Sequence, residues 1–108
     1  MRVVLHAAMV LSLGLGTAAG AYAEPYAGAD LGNGKALHYS KRCASCHTEQ
    51  TGRDESFIYL RDDRKVKTLF DLRRYVSLCN MGQNLQLFPE DERDVAAYLN
   101  AQYYKFKE

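Results

Sequence analysis

The chain of 108 residues has no tryptophan, only two prolines, Pro25 and Pro89, and only three cysteines. Neither sign of charge dominates, with 14 Lys and Arg against 13 Asp and Glu, so nothing suggests a nucleic-acid partner and any steering of a partner must come from local patches. No long hydrophobic run is present either. The apolar stretch from Val3 to Leu15, broken by His6, Ser12 and Gly14, falls short of the roughly 20 residues that a spanning helix needs. No internal repeat or low-complexity tract is visible. What the first residues do contain is one cation, Arg2, then that short apolar run, then small residues up to Ala21-Tyr22-Ala23. This order is that of a secretory signal peptide over residues 1–23, cleaved at an A-x-A site before Glu24. The remaining domain, residues 24–108, is short enough that a core of side chains alone is thin and some staple is expected.

The staple is written at residues 43–47. Cys43-Ala44-Ser45-Cys46-His47 is a C-x-x-C-H sequence, the haem-attachment spacing: two thiols add to the two vinyl groups of one porphyrin, and the adjacent histidine is held under the iron as proximal ligand. A bare C-x-x-C also occurs in zinc and redox sites. Zinc requires a second pair of Cys or His at ligand spacing, and only Cys79, His38 and His6 remain. A thioredoxin-like site requires alternating strand and helix patterns, which are not apparent. One motif implies one covalent haem c. Because c-type haem is attached outside the cytoplasm, the motif and the leader support each other and point to the periplasm.

Helix signals predict an all-α domain with three main helices. Asp30 is the expected N-cap of the first, which runs through Lys35–Ser40 towards Cys43, although Gly32 and Gly34 weaken it. From Thr48 to Lys67 the sequence is polar with one apolar island, Phe57-Ile58-Tyr59-Leu60, and shows no period; it reads as a loop along one edge of the haem. Its charges, Arg61 to Lys67, read as a solvated face, with one arginine free to meet a haem propionate or a partner. Thr68 with Asp71 three positions on marks the next N-terminus, and Leu69, Leu72, Val76 and Cys79 share a helical face. That helix is expected to end at Asn80-Met81-Gly82. Pro89 followed by Glu90, Asp91 and Glu92 opens the third helix, which should bury Val95, Tyr98, Leu99 and either Gln102 or Tyr103. The aromatic tail, Tyr103 to Lys107, either folds back or offers a contact surface.

On these residues the domain resembles a small class I cytochrome c. In that family the first helix ends at the first haem cysteine and carries an aromatic four residues before it, matched by Tyr39; the run Asp94-Val95-Ala96-Ala97-Tyr98-Leu99 is similar to the family's C-terminal helix, so Tyr98 is expected on Tyr39. The family's glycine eight residues before that cysteine is here Lys35, with Gly34 next to it. The family's loop proline, which helps to orient the proximal imidazole, has no counterpart, and a backbone carbonyl near Tyr59 is the expected substitute. The resemblance places the distal methionine in the loop between the last two helices, which makes it Met81, since Met1 and Met9 leave with the leader.

The sixth ligand decides the function. With Met81 and His47 both on iron, the protein is a one-electron carrier between redox proteins and not an enzyme; an open or weakly filled site binds small molecules. Cys79 competes. It is a leftover thiol in an exported chain, either a buried apolar residue, a disulfide partner or a thiolate ligand. The Cys79-Asn80 pair also resembles a smaller group of exported cytochromes with labile distal ligation, which makes Asn80 a further candidate and gas binding or sulfur chemistry the alternative function. His38 reads as a surface histidine.

Overall fold

The computed structural model describes Val3 and residues 26–107; the leader expected over residues 1–23 otherwise lies outside the described residues. Described residues form helices and loops without a strand, so the chain is all-α: α1 (Leu31–Ser40), α2 (Cys43–Thr51), α3 (Phe57–Leu60), α4 (Leu69–Gly82) and α5 (Pro89–Leu99), with a π-helical turn at Asn100–Tyr104. The three expected helices are α1, α4 and α5. Two short helices were not expected: α2 covers the motif and runs into the stretch without period, and α3 lies inside that stretch, each held by packing of a few residues and not by a continuous apolar stripe.

The local signals work as read. Asp30 accepts a hydrogen bond from the Asn33 backbone N–H at 3.0 Å, and Thr68 Oγ1 accepts one from Asp71 N–H at 3.0 Å. Pro89 stands in the first turn of α5, and an Asp91 carboxylate oxygen accepts from Phe88 N–H at 3.1 Å. Between α1 and α2 the chain bends at Arg42, which adopts the left-handed conformation at φ 61°. That conformation costs a non-glycine residue about 1 kcal/mol. No glycine marks the bend in sequence.

The principal contact is between α1 and α5, and it is made at Gly34. A Cβ there would lie 2.0 Å from the Asp94 carbonyl oxygen and 2.9 Å from Tyr98 Cβ, so the two backbones touch where only glycine fits. One turn on, the His38 ring packs on Tyr98 with centroids 5.5 Å apart, and the Tyr39 hydroxyl also faces that of Tyr98, as the resemblance implied. Gly34 and His38, one turn apart, therefore lie on the face of α1 that meets α5. His38 is 0% exposed, which corrects its reading as a surface histidine, while Tyr39 is 46% exposed and donates to Glu55. The α1 end is tied down electrostatically as well. Buried Asp94 accepts from Asp30 N–H at 2.9 Å and from Asn33 Nδ2 at 2.8 Å.

Leu69, Leu72 and Val76 of α4 pack against Val95, Leu99 and their neighbours in one core. Tyr26, fully buried, donates its hydroxyl to the Leu69 carbonyl at 2.9 Å, so the lead-in segment is an anchor, which its sequence did not suggest. The tail folds back. Asn100 donates to the Phe106 carbonyl at 3.0 Å and accepts from its N–H at 2.8 Å, turning Tyr103, Tyr104 and Phe106 onto the core. Tyr103, not the exposed Gln102, is the buried choice.

Replacing Gly34 by Ala should lower stability by at least about 1–3 kcal/mol, since the methyl meets backbone that cannot swing aside. A denaturant midpoint unchanged by Gly34→Ala would contradict the close crossing.

Candidate cofactor-binding site

Because α2 starts at Cys43, the motif residues Cys43, Cys46 and His47 occupy helical positions i, i+3 and i+4 and share one face. That face lines a cavity of about 410 Å³, within the usual range for ligand and cofactor sites. Each remaining element supplies a wall: His38 from α1, Ile58 and Tyr59 from α3, Leu72, Tyr75, Val76 and Cys79 from α4, Leu85 and Leu87 from the following loop, Val95 and Leu99 from α5, and Tyr104 from the tail. The lining is mainly apolar, with its sulfur and nitrogen donors concentrated on α2.

His47 is oriented by a side chain and not by a carbonyl. Its Nδ1 lies 2.9 Å from the Tyr59 hydroxyl, which corrects the expectation of a backbone acceptor near Tyr59. Burial holds the His47 imidazole below its ordinary pKa, in the neutral form that a metal ligand requires. Tyr59 is itself 4% exposed, and burial pushes its phenol well above the ordinary value, so it stays protonated. Tyr103 stacks on the Tyr59 ring at 4.7 Å and Tyr104 meets it edge-on at 5.8 Å.

His38 lines the same cavity from α1. Both its ring nitrogens are buried and without a hydrogen-bond partner among the described residues, and its Nε2 is 3.9 Å from a Glu55 carboxylate oxygen. Burial lowers its pKa, the charge of Glu55 opposing and that of His47 reinforcing the shift. Glu55 also accepts from the Tyr39 hydroxyl at 3.0 Å and the Tyr103 hydroxyl at 3.2 Å. It joins α1, the loop before α3 and the tail, and no sequence signal distinguished it from the other charges of an aperiodic stretch.

The three candidates for the distal side are separated by the structure. Asn80, half-buried, is committed elsewhere: its amide donates to the Leu87 carbonyl at 2.9 Å and to Glu92 at 2.7 Å and accepts from Leu87 N–H at 3.0 Å. Glu92 in turn receives Arg73 at 2.8 Å; burial alone would raise its pKa, but Arg73 and Asn80 outweigh it and hold the carboxyl below the ordinary range. Met81 does not sit in a loop. Helix α4 continues through Gly82, because the Asn80 side chain and not a glycine turn organises the chain that follows, and Met81 lies on its last turn, 75% exposed and outside the cavity lining. Cys79 does line the cavity. Burial raises the pKa of its thiol, with Cys46 adding to the shift, and burial likewise raises that of Cys43, with Cys79 adding. Arg73 is engaged by Glu92 and the Pro89 carbonyl, away from Cys79.

No family model matches this chain, and neither does any curated protein or solved structure. Its site therefore has to be judged on its own donors. They fit a covalently attached haem: two thiols and a neutral imidazole on one helical face, apolar walls around them, and a buried histidine in the lining whose nitrogens have no protein partner. They do not fit zinc, since no group of three Cys, His, Asp or Glu side chains gathers for a metal among the described residues.

If Asn80 is structural, Asn80→Ala should cost about 2–3 kcal/mol, because it leaves Leu87 N–H and the Glu92 carboxylate short of partners. The check is chemical denaturation alongside the visible spectrum of the haem-loaded protein. A changed spectrum with unchanged stability would make Asn80 a ligand instead.

Proposed function

We propose that this chain is an exported, periplasmic monohaem c-type cytochrome, a cytochrome c-like helical domain around one haem, that passes single electrons between redox proteins. The observation that carries the reading is that Cys43, Cys46 and His47, whose spacing alone suggested haem attachment, line one apolar cavity together, with His47 Nδ1 engaged by Tyr59. Cys43 and Cys46 would hold the porphyrin by thioether bonds and His47 Nε2 would face the iron. When bound, the group supplies a reversible one-electron couple. The protein does the rest. Leu72, Val76, Leu87, Val95 and Leu99 give the cofactor an apolar, water-poor surround, and the short helices hold His47 in one orientation. No bond chemistry on a substrate is required, and contacts with partners are expected to be small and brief. The leader over residues 1–23 belongs to the same reading.

With Met81 as the distal ligand the carrier function is complete, but this asks the last turn of α4 to turn its side chain inward. One observation favours a second reading: among the distal candidates, Cys79 is the one in the cavity lining. On that reading the sixth position is filled by Cys79 or left to a small molecule, and the protein binds a diatomic gas or reacts with sulfur species.

Visible spectra of the oxidised and reduced protein, recorded with and without carbon monoxide, separate the two. A carrier ligated by Met81 keeps a thioether-to-ferric charge-transfer band, takes up no carbon monoxide, and loses both properties in Met81→Ala. Rapid carbon monoxide binding to the reduced wild type, or a thiolate-type ferric spectrum abolished by Cys79→Ser, would overturn the carrier function and support the second reading.

A further inference from the structure

We propose that Tyr59 is the positioning residue of the proximal histidine: its hydroxyl oxygen accepts the Nδ1–H of His47, which fixes the tautomer that leaves Nε2 for iron. The inference rests on the haem reading above and deepens it. His47 Nδ1 and Tyr59 Oη are 2.9 Å apart, and their rings meet edge-on at 5.4 Å.

Tyr59 cannot hold this position from its own helix, since α3 spans only Phe57–Leu60. Its ring is clamped from the far end of the chain. The π-helical turn at Asn100–Tyr104 presents Tyr103, stacked at 4.7 Å with an interplanar angle of 24°, and Tyr104, edge-on at 5.8 Å. Asn100 secures that turn through its two hydrogen bonds to Phe106. Besides lining the cavity with Tyr104, the aromatic tail therefore acts on His47 through Tyr59. A phenol oxygen is also a weaker acceptor than a carboxylate or a backbone carbonyl. His47 accordingly donates less electron density to iron than it would with either of those partners, and more than it would with none.

The test uses haem-loaded protein and two readouts besides activity. Tyr59→Phe keeps the ring and its stacking but removes the acceptor; haem stays attached through Cys43 and Cys46, and the reduction potential rises because the oxidised iron loses donation from His47. Tyr103→Phe removes a neighbouring phenol that touches Glu55 and not His47, and should leave the potential where it was. The second readout needs only wild type. In the reduced protein with carbon monoxide added, the His47 Nδ1 proton should resonate far downfield, exchange slowly and show a nuclear Overhauser effect to the Tyr59 ring. An equal potential in Tyr59→Phe and wild type, or a His47 Nδ1 proton in rapid exchange with water, overturns the assignment while leaving the haem reading intact. Wild-type protein without covalent haem overturns the reading beneath it and this inference together.

Discussion

Everything in this domain is hung from the contact of two backbones at Gly34. Because α1 reaches α5 with no side chain between them, the C-terminal end of α1 is carried to one fixed place, and with it the bend at Arg42 and the first turn of α2. The same contact fixes α5, whose far end runs into the π-helical turn and the aromatic tail. Cys43, Cys46 and His47 come from the first of these directions, and Tyr103 and Tyr104 from the second. They converge on Tyr59. A displacement of the crossing would therefore move both the motif and the side chains that hold it.

Charge plays a supporting part. The pairs that matter are half-buried or buried and hydrogen-bonded on several sides: Asp94 with Asp30 and Asn33 at the start of α1, and Glu92 with Arg73 and Asn80 between α4 and α5. The first ties α1 to α5 and the second ties α4 to α5. Exposed pairs such as Arg61 with Asp63 belong to the solvated loop, where ion pairs contribute little. Hence the balance of 14 basic and 13 acidic residues understates how unevenly the useful charges are placed.

Much of this was legible in the sequence, and for identifiable reasons. Caps at Asp30 and Thr68, the proline of α5 and the apolar face of α4 are local signals, and local hydrogen bonds and turns reproduced them. That Cys43, Cys46 and His47 would stand together was legible because positions i, i+3 and i+4 share one face of a helix. What failed to show was long-range. His38 looks polar in sequence, yet it is buried because Gly34 and Tyr98 turn its face of α1 inward. The end of α4 fell at Gly82 as expected, but the loop position of Met81 did not hold: it stays on the last turn of the helix, while the Asn80 amide, bonded to Leu87 seven residues on, organises the chain that follows. Tyr59 and Glu55 sit in a stretch without period, and contacts with α1, α2 and the distant tail give them their roles.

On the proposed function, a porphyrin bonded to α2 fills the apolar cavity that the helices leave beside their core. The most direct test is the intact mass and free-thiol content of protein matured in a bacterium able to attach c-type haem. One haem per chain that survives acid extraction is expected, with Cys79 as the single remaining free thiol. A soluble, folded product at the unmodified mass, with Cys43 and Cys46 both free or joined to each other, would contradict it.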